Sequence, residues 1–201
     1  MLALKIKNPR RYLRGFFLYI WRDMLSGSEI KKRIESGAIV IDPFDLSRTG
    51  PNSYDVRLAP TLYQVTSDII DPARPVEIKV LRLAPSLILM PGELYLGATI
   101  EYTETWDTVP KLDGKSSVAR LGVCVHQTAG FGDVGFCGHW TLEITVTKPT
   151  VLYAEMPIAQ IYYEQIVGEI DLLYSKRKES KYNNKRSDDP LPNISKMYKI
   201  S

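Results

Sequence analysis

Three stretches carry side chains whose types and spacing could do chemistry. The first is Asp113-Gly114-Lys115-Ser116-Ser117-Val118-Ala119-Arg120-Leu121-Gly122. A turn entering a short helix closed by Gly122 would gather Lys115, two serine hydroxyls and free backbone N–H groups at its start, which suits an anion. It is no P-loop, because that motif needs a glycine five positions before Gly114 and Val109 stands there. A capped helix with exposed charges accounts for the stretch equally well. The second stretch, Val125-His126-Gln127-Thr128-Ala129-Gly130-Phe131-Gly132-Asp133-Val134-Gly135-Phe136, is rich in small residues that let a backbone approach a ligand closely. The third, residues 139–146, alternates. Trp140, Leu142, Ile144 and Val146 face a core, while His139, Thr141, Glu143 and Thr145 face the other way. A glutamate on the polar face of a strand is most often simply solvated.

Cys124-Val125-His126 and Cys137-Gly138-His139 bring four zinc-type ligands within 16 residues. Their one-residue spacer is tighter than structural zinc sites use, and the His-x-Glu with Pro-Cys-x-x-Cys signature of zinc deaminases is absent. Buried cysteines and packed histidines are the plainer reading.

The elements that must position these residues are mostly strands. Ser26-Gly27-Ser28-Glu29 reads as a capping box opening a helix that carries Ile30 and Ile34 on one face and stops at Gly37. Strands are predicted over 38–41, 54–58, 62–65, 76–81, 87–90, 95–102, 123–127, 140–146, 151–153 and 158–163, with Pro91-Gly92 a turn. Such short, regular spacing predicts a mainly β domain with few helices, a barrel or a sandwich. Residues 176–201 lack periodicity and read as a basic, mobile tail; Lys176, Arg177, Lys178, Lys181, Lys185 and Arg186 could hold a polyphosphate or merely be solvated.

The chain of 201 residues, 44% apolar, is long enough for one sizeable core. Its net charge of +3 is uneven. Residues 1–23 hold six basic side chains and one acid, which leaves 20 basic against 22 acidic residues, so the rest sits at −2. On charge grounds the globular part is no nucleic-acid surface. The apolar run Phe16-Phe17-Leu18-Tyr19-Ile20-Trp21 is too short to span a bilayer. Residues 1–23 therefore read as a basic extension to a domain starting at Met24, with a membrane-surface helix or docking arm as alternatives. Two cysteines fit a reducing cytosol.

Residues 114–122, His126 to Gly130, Asp133, Gly135-Phe136, Gly138 and Thr141-Leu142-Glu143 together closely resemble the core of dCTP deaminases, within the dCTP deaminase and dUTPase superfamily. Leu25-Ser26, Ile41-Asp42-Pro43-Phe44, Pro51-Asn52-Ser53-Tyr54-Asp55-Val56-Arg57-Leu58 and Lys181-Tyr182 extend the resemblance across residues 24–185. It implies a distorted, dUTPase-like β-barrel of jelly-roll type over 24–175, a C-terminal lid over 176–201, and a cytoplasmic homotrimer with intersubunit active sites. It implies dCTP as substrate, and magnesium carried by the triphosphate rather than zinc held by protein. By position Glu143 resembles the general base, with Ser116 and Arg120 orienting it and the substrate. The Thr128-Ala129 backbone resembles the reader of the base edge, and Asp133 the residue at the deoxyribose. Lys115, Ser117, Tyr174, Lys181 and Lys185 resemble phosphate ligands. Gly130 resembles members that carry dCTP through to dUMP and pyrophosphate, with Asp133 then serving the α-phosphate; a dUTPase and a non-catalytic nucleotide-binding regulator are the alternatives. Gly132 stands where the family usually has an aliphatic residue, and Val134 where proline is common, which predicts a softer sugar-contact loop. Lys185 replaces a usual glutamine, and residues 186–193 are an addition.

Overall fold

A computed structural model describes residues 24–126, 128–180, 182–183 and 185–193; the expected extension over 1–23 lies outside them. In chain order the elements are α1 (Gly27–Glu35), β1 (Ile39–Asp42), β2 (Tyr54–Arg57), β3 (Thr61–Val65), β4 (Ile78–Arg82), β5 (Ser86–Leu89), β6 (Leu94–Thr105), β7 (Thr108–Gly114), α2 (Ser116–Ala119), β8 (Val123–Val125), β9 (Cys137–Val146), β10 (Thr150–Tyr153) and β11 (Pro157–Gln165). The largest sheet runs β4-β3-β6-β9-β8, with β1 also on β6; β2-β11-β7 and β10-β5 form two smaller ones. These open sheets wrap a single core, in which Tyr54, Tyr163, Leu58, Leu62, Leu142 and Ile144 are fully buried. The result is a mainly β, distorted barrel. Among the described residues no helix is long and apolar enough to cross a membrane.

Local chemistry explains most boundaries. Ser26 caps α1, its Oγ accepting from the Glu29 N–H at 3.2 Å. The expected capping box is only half made, because the Glu29 carboxylate turns to Arg33 and Lys32 at 3.4 and 3.7 Å. Gly37, at φ 77°, takes the left-handed conformation that ends the helix. The strand β7 is absent from the sequence-based prediction because Pro110 sits in its middle. It is the outer strand of its sheet, paired to β11 on one side and bridged at Lys111 to Phe131 on the other; Pro110 turns its carbonyl to the Gly132 N–H, away from β11, so its missing N–H costs no ladder bond there.

β6 positions the site. Its pairing with β9 slips between Ala98 and Tyr102. At that bulge the fully buried Glu101 accepts from the Arg57 backbone N–H and Nε, both at 2.7 Å. Thr99 Oγ1 donates to the Glu101 carbonyl at 2.8 Å and accepts from the Trp140 N–H at 2.9 Å.

Candidate active site

β8 and β9 pair antiparallel with Val125 opposite Ile144, so His126 falls opposite Glu143 where the ladder ends. The His126 N–H donates to the Glu143 carbonyl at 3.1 Å. A backbone φ of 53° at His126 swings the chain out of the strand there. The imidazole Nδ1 hydrogen-bonds Glu143 Oε2; against an ionised carboxylate it is the donor. The imidazole is 3% exposed and the carboxylate 37%, so a buried ring steadies an acid that reaches open space. The His126 Nε2 is buried without a hydrogen-bond partner among the described residues.

That open space is a cavity of about 420 Å³, lined by Thr128, Ala129, Asp133, Tyr174 and Glu143 among others. Its inner wall is aromatic. Phe136 lies 5.0 Å from Trp140 and 6.2 Å from Tyr174, and the Trp140 ring meets His126 edge-on at 6.3 Å. Tyr182 lies on the outer side, its N–H donating to the Tyr174 hydroxyl at 3.1 Å. Burial, then the Tyr174 hydroxyl and the Glu143 charge, push the Tyr182 phenol above its ordinary range, so it stays protonated and can donate. An apolar wall with a few convergent polar groups is the usual form of a small-molecule site.

The sequence-predicted residues thus divide. Glu143, Thr128, Ala129, Asp133 and Tyr174 meet in one cavity. Lys115, Ser116, Ser117 and Arg120 do not line it. They stand at α2, where Ser116, Ser117 and Arg120 are exposed and Lys115 is ion-paired with Asp55. Lys185 lines a neighbouring cavity of about 470 Å³ beside Tyr63 and Asn193; Lys181 lies outside the described residues. Trp140, Phe136 and Tyr182 join the site without a role assigned from the sequence, and His126, weighed there as a zinc-type ligand and as part of the family motif, joins it as the partner of Glu143. What could have pointed to the Glu143 partnership was the place of His126 near the end of a predicted strand, 17 residues before the glutamate, and only the register makes that meaningful.

Two expectations change. Gly132 does not loosen its loop, because it is buried with its N–H donating to the Pro110 carbonyl at 2.9 Å. His139, expected on the open face of β9, is 5% exposed. Residues 185–193 cover it, and its Nε2 accepts from the Ser187 N–H at 3.1 Å while Nδ1 donates to the Thr99 carbonyl at 3.1 Å. Both histidines are thus spent on hydrogen bonds rather than held facing a shared thiol. Among the described residues no group of three or more His, Cys, Asp or Glu side chains gathers as metal ligands would.

A family profile described as dCTP deaminase-like matches residues 24–166. The chain is 46% identical over 177 residues to a dCTP deaminase, dUMP-forming, of Clostridium beijerinckii, covering 88% of this chain and 97% of that one. It is 46% identical over 168 residues to the protein of the same description from Leptospira biflexa, covering 83% and 94%. In fold it is similar to the crystal structure of 2'-deoxycytidine 5'-triphosphate deaminase from Agrobacterium tumefaciens, with a TM-score of 0.58 and 21% identity over 71% of this chain. The chain spans less than half, 47%, of that solved chain, and the likeness concerns fold alone.

Proposed function

The chain belongs to the dCTP deaminase-like family, and we propose that it hydrolyses dCTP to ammonia, pyrophosphate and dUMP. The observation that carries the reading is the meeting of two carboxylates, Glu143 and Asp133, in one cavity with the Thr128-Ala129 backbone. Glu143 takes a proton from a water as its oxygen attacks C4 of the cytosine. That proton passes to ring N3, the new C4 hydroxyl gives up its own proton through the same carboxylate to the amine, the C4–N bond breaks, and ammonia leaves a carbonyl behind; one carboxylate serves as base and then acid. Asp133 then takes a proton from a second water attacking the α-phosphorus, and pyrophosphate departs. Water is the sole co-reactant, so the balance needs no oxidant or reductant.

Ser116 and Arg120 orient Glu143 and the base. Because α2 stands away from the cavity of its own chain, this role is filled across a subunit boundary, and we infer a homotrimer with shared sites. Lys115, Ser117, Tyr174, Lys181 and Lys185 hold phosphate; for Lys115 this means exchanging Asp55 for the nucleotide. Magnesium enters on the triphosphate, where it neutralises charge; no carboxylate cluster of the described residues is assigned to it. The segment after Tyr174 serves as a lid that excludes bulk water once phosphate arrives. Two free thiols, with Cys124 exposed, suit the reducing cytosol in which such an enzyme would work.

The test is product analysis of the full chain with dCTP, dUTP and CTP in the presence of magnesium. One ammonia and one dUMP per dCTP are expected. Cleavage of dUTP with no ammonia from dCTP would make it a dUTPase, and binding without turnover would make it a sensor.

A further inference from the structure

The indole of Trp140 is held on every side. The Trp140 backbone N–H donates to Thr99 Oγ1 at 2.9 Å and the indole Nε1–H to Thr103 Oγ1 at 3.0 Å, so β6 holds the residue at its backbone and at its ring. Phe136 packs on it at 5.0 Å and His126 meets it edge-on at 6.3 Å. The fourth side is Gly132. A Cβ at Gly132 would lie 2.6 Å from Trp140 Cη2, 2.9 Å from Pro110 Cγ and 3.1 Å from the Pro110 carbonyl. Carbon atoms rest about 3.5–4.0 Å apart, so no side chain fits at 132 unless the loop or the indole moves.

The neighbours of this contact give it meaning. Gly132 immediately precedes Asp133, whose carbonyl accepts from the Phe136 N–H at 3.2 Å. On the other flank of the same indole, His126 holds Glu143. One rigid ring therefore separates the loop carrying one cavity carboxylate from the imidazole that orients the other. We propose that Trp140 is a positioning residue that sets the spacing between Asp133 and Glu143, and that glycine at 132 is what admits it. The pair deepens the functional reading and rests on it: the indole tunes how far the first product is carried on before release. Displacing the Asp133 loop should weaken the α-phosphate step more than the deamination step, because Glu143 is held from the far side of the ring.

Gly132→Ile, the milder Gly132→Ala, Trp140→Leu, and the Gly132→Ile/Trp140→Leu double variant test this in the full chain. Ammonia and dUMP are followed from one dCTP reaction, beside amide hydrogen exchange over residues 130–136 without nucleotide. For Gly132→Ile the ratio of dUMP to ammonia should fall about tenfold as dUTP accumulates, with faster exchange of the backbone amides at positions 132 and 136. Gly132→Ala should move both readouts the same way by less, and covers the case where the larger variant does not fold. Trp140→Leu alone should slow ammonia release by lowering kcat with little change in KM. In the double variant the smaller side chain makes room, so ratio and protection should return toward the parent. An unchanged ratio and exchange in both glycine variants, or a double variant no better than Gly132→Ile, would overturn the proposal. A parent chain that yields no ammonia would sink the deaminase reading instead, and the exchange data would still decide whether Trp140 places the loop.

Discussion

Glu143 and Glu101 show how two carboxylates on adjacent strands come to differ in use. Glu143 keeps one oxygen on an imidazole while its side chain stays 37% exposed to a cavity, the condition for a base that must meet water and substrate. Glu143→Gln keeps size and hydrogen bonding but cannot take the proton. Deamination should fall by 10²-fold or more, roughly the span general-base catalysis supplies, while calorimetry still registers dCTP binding. Glu101 is fully buried with both oxygens on Arg57, so its value is structural. Arg57→Met would leave that charge unpaired in the barrel wall and should destabilise the fold by about 3–5 kcal/mol, read from denaturant midpoints. Arg57→Met/Glu101→Leu should recover most of the loss, because the apolar pair leaves no orphaned charge.

Residues 182–183 and 185–193 behave as an element although they form neither helix nor strand. Asn183 accepts from the Cys137 N–H at 3.2 Å, Arg186 reaches Asp42 at 2.9 Å, Arg82 grips Asp189 at 3.0 and 2.8 Å, and the Asn193 N–H donates to Thr141 Oγ1 at 3.0 Å. The strap crosses His139 at its centre. Burial holds the His139 imidazole below its ordinary value of 6.5, against the opposing pull of the Thr99 carbonyl and the Glu101 charge. Asp42, Arg186, Glu155 and Asp188 line the adjoining cavity. Protonation would put a hydrogen on Nε2, where the Ser187 N–H already points. The unfolded chain takes that proton first as pH falls, so the stability is whole above 6.5 and drains away below it. The melting temperature should therefore drop between about pH 7 and pH 5 in the parent, and drop less in His139→Asn. Equal slopes would remove His139 from this role.

For the whole molecule the decisive feature is the division of one proposed site between two places on a single chain. Glu143 lines the cavity and Arg120 does not. If neighbouring subunits complete each other, Arg120→Ala and Glu143→Gln homotrimers should both be inactive. Mixed trimers made by unfolding and refolding the two together should regain about a quarter of parental activity, since random assembly pairs an intact Glu143 with an intact Arg120 that often. No recovery in mixed trimers would place both residues within one chain's site.

Alternation and punctuation in the sequence settled the class of the fold, most strand positions, and which face of β9 carries Glu143, because a period of two and the backbone demands of glycine and proline are local. They could not reveal β7, where Pro110 mimics a break and only the edge position makes it harmless. They could not join His126 to Glu143, bring Gly132 against Trp140, or lay Ser187 over His139. Those contacts depend on which strands pair, in what register, and where the chain returns after β11. Such choices are made by burying apolar area across long sequence separations, and no short window of residues contains them.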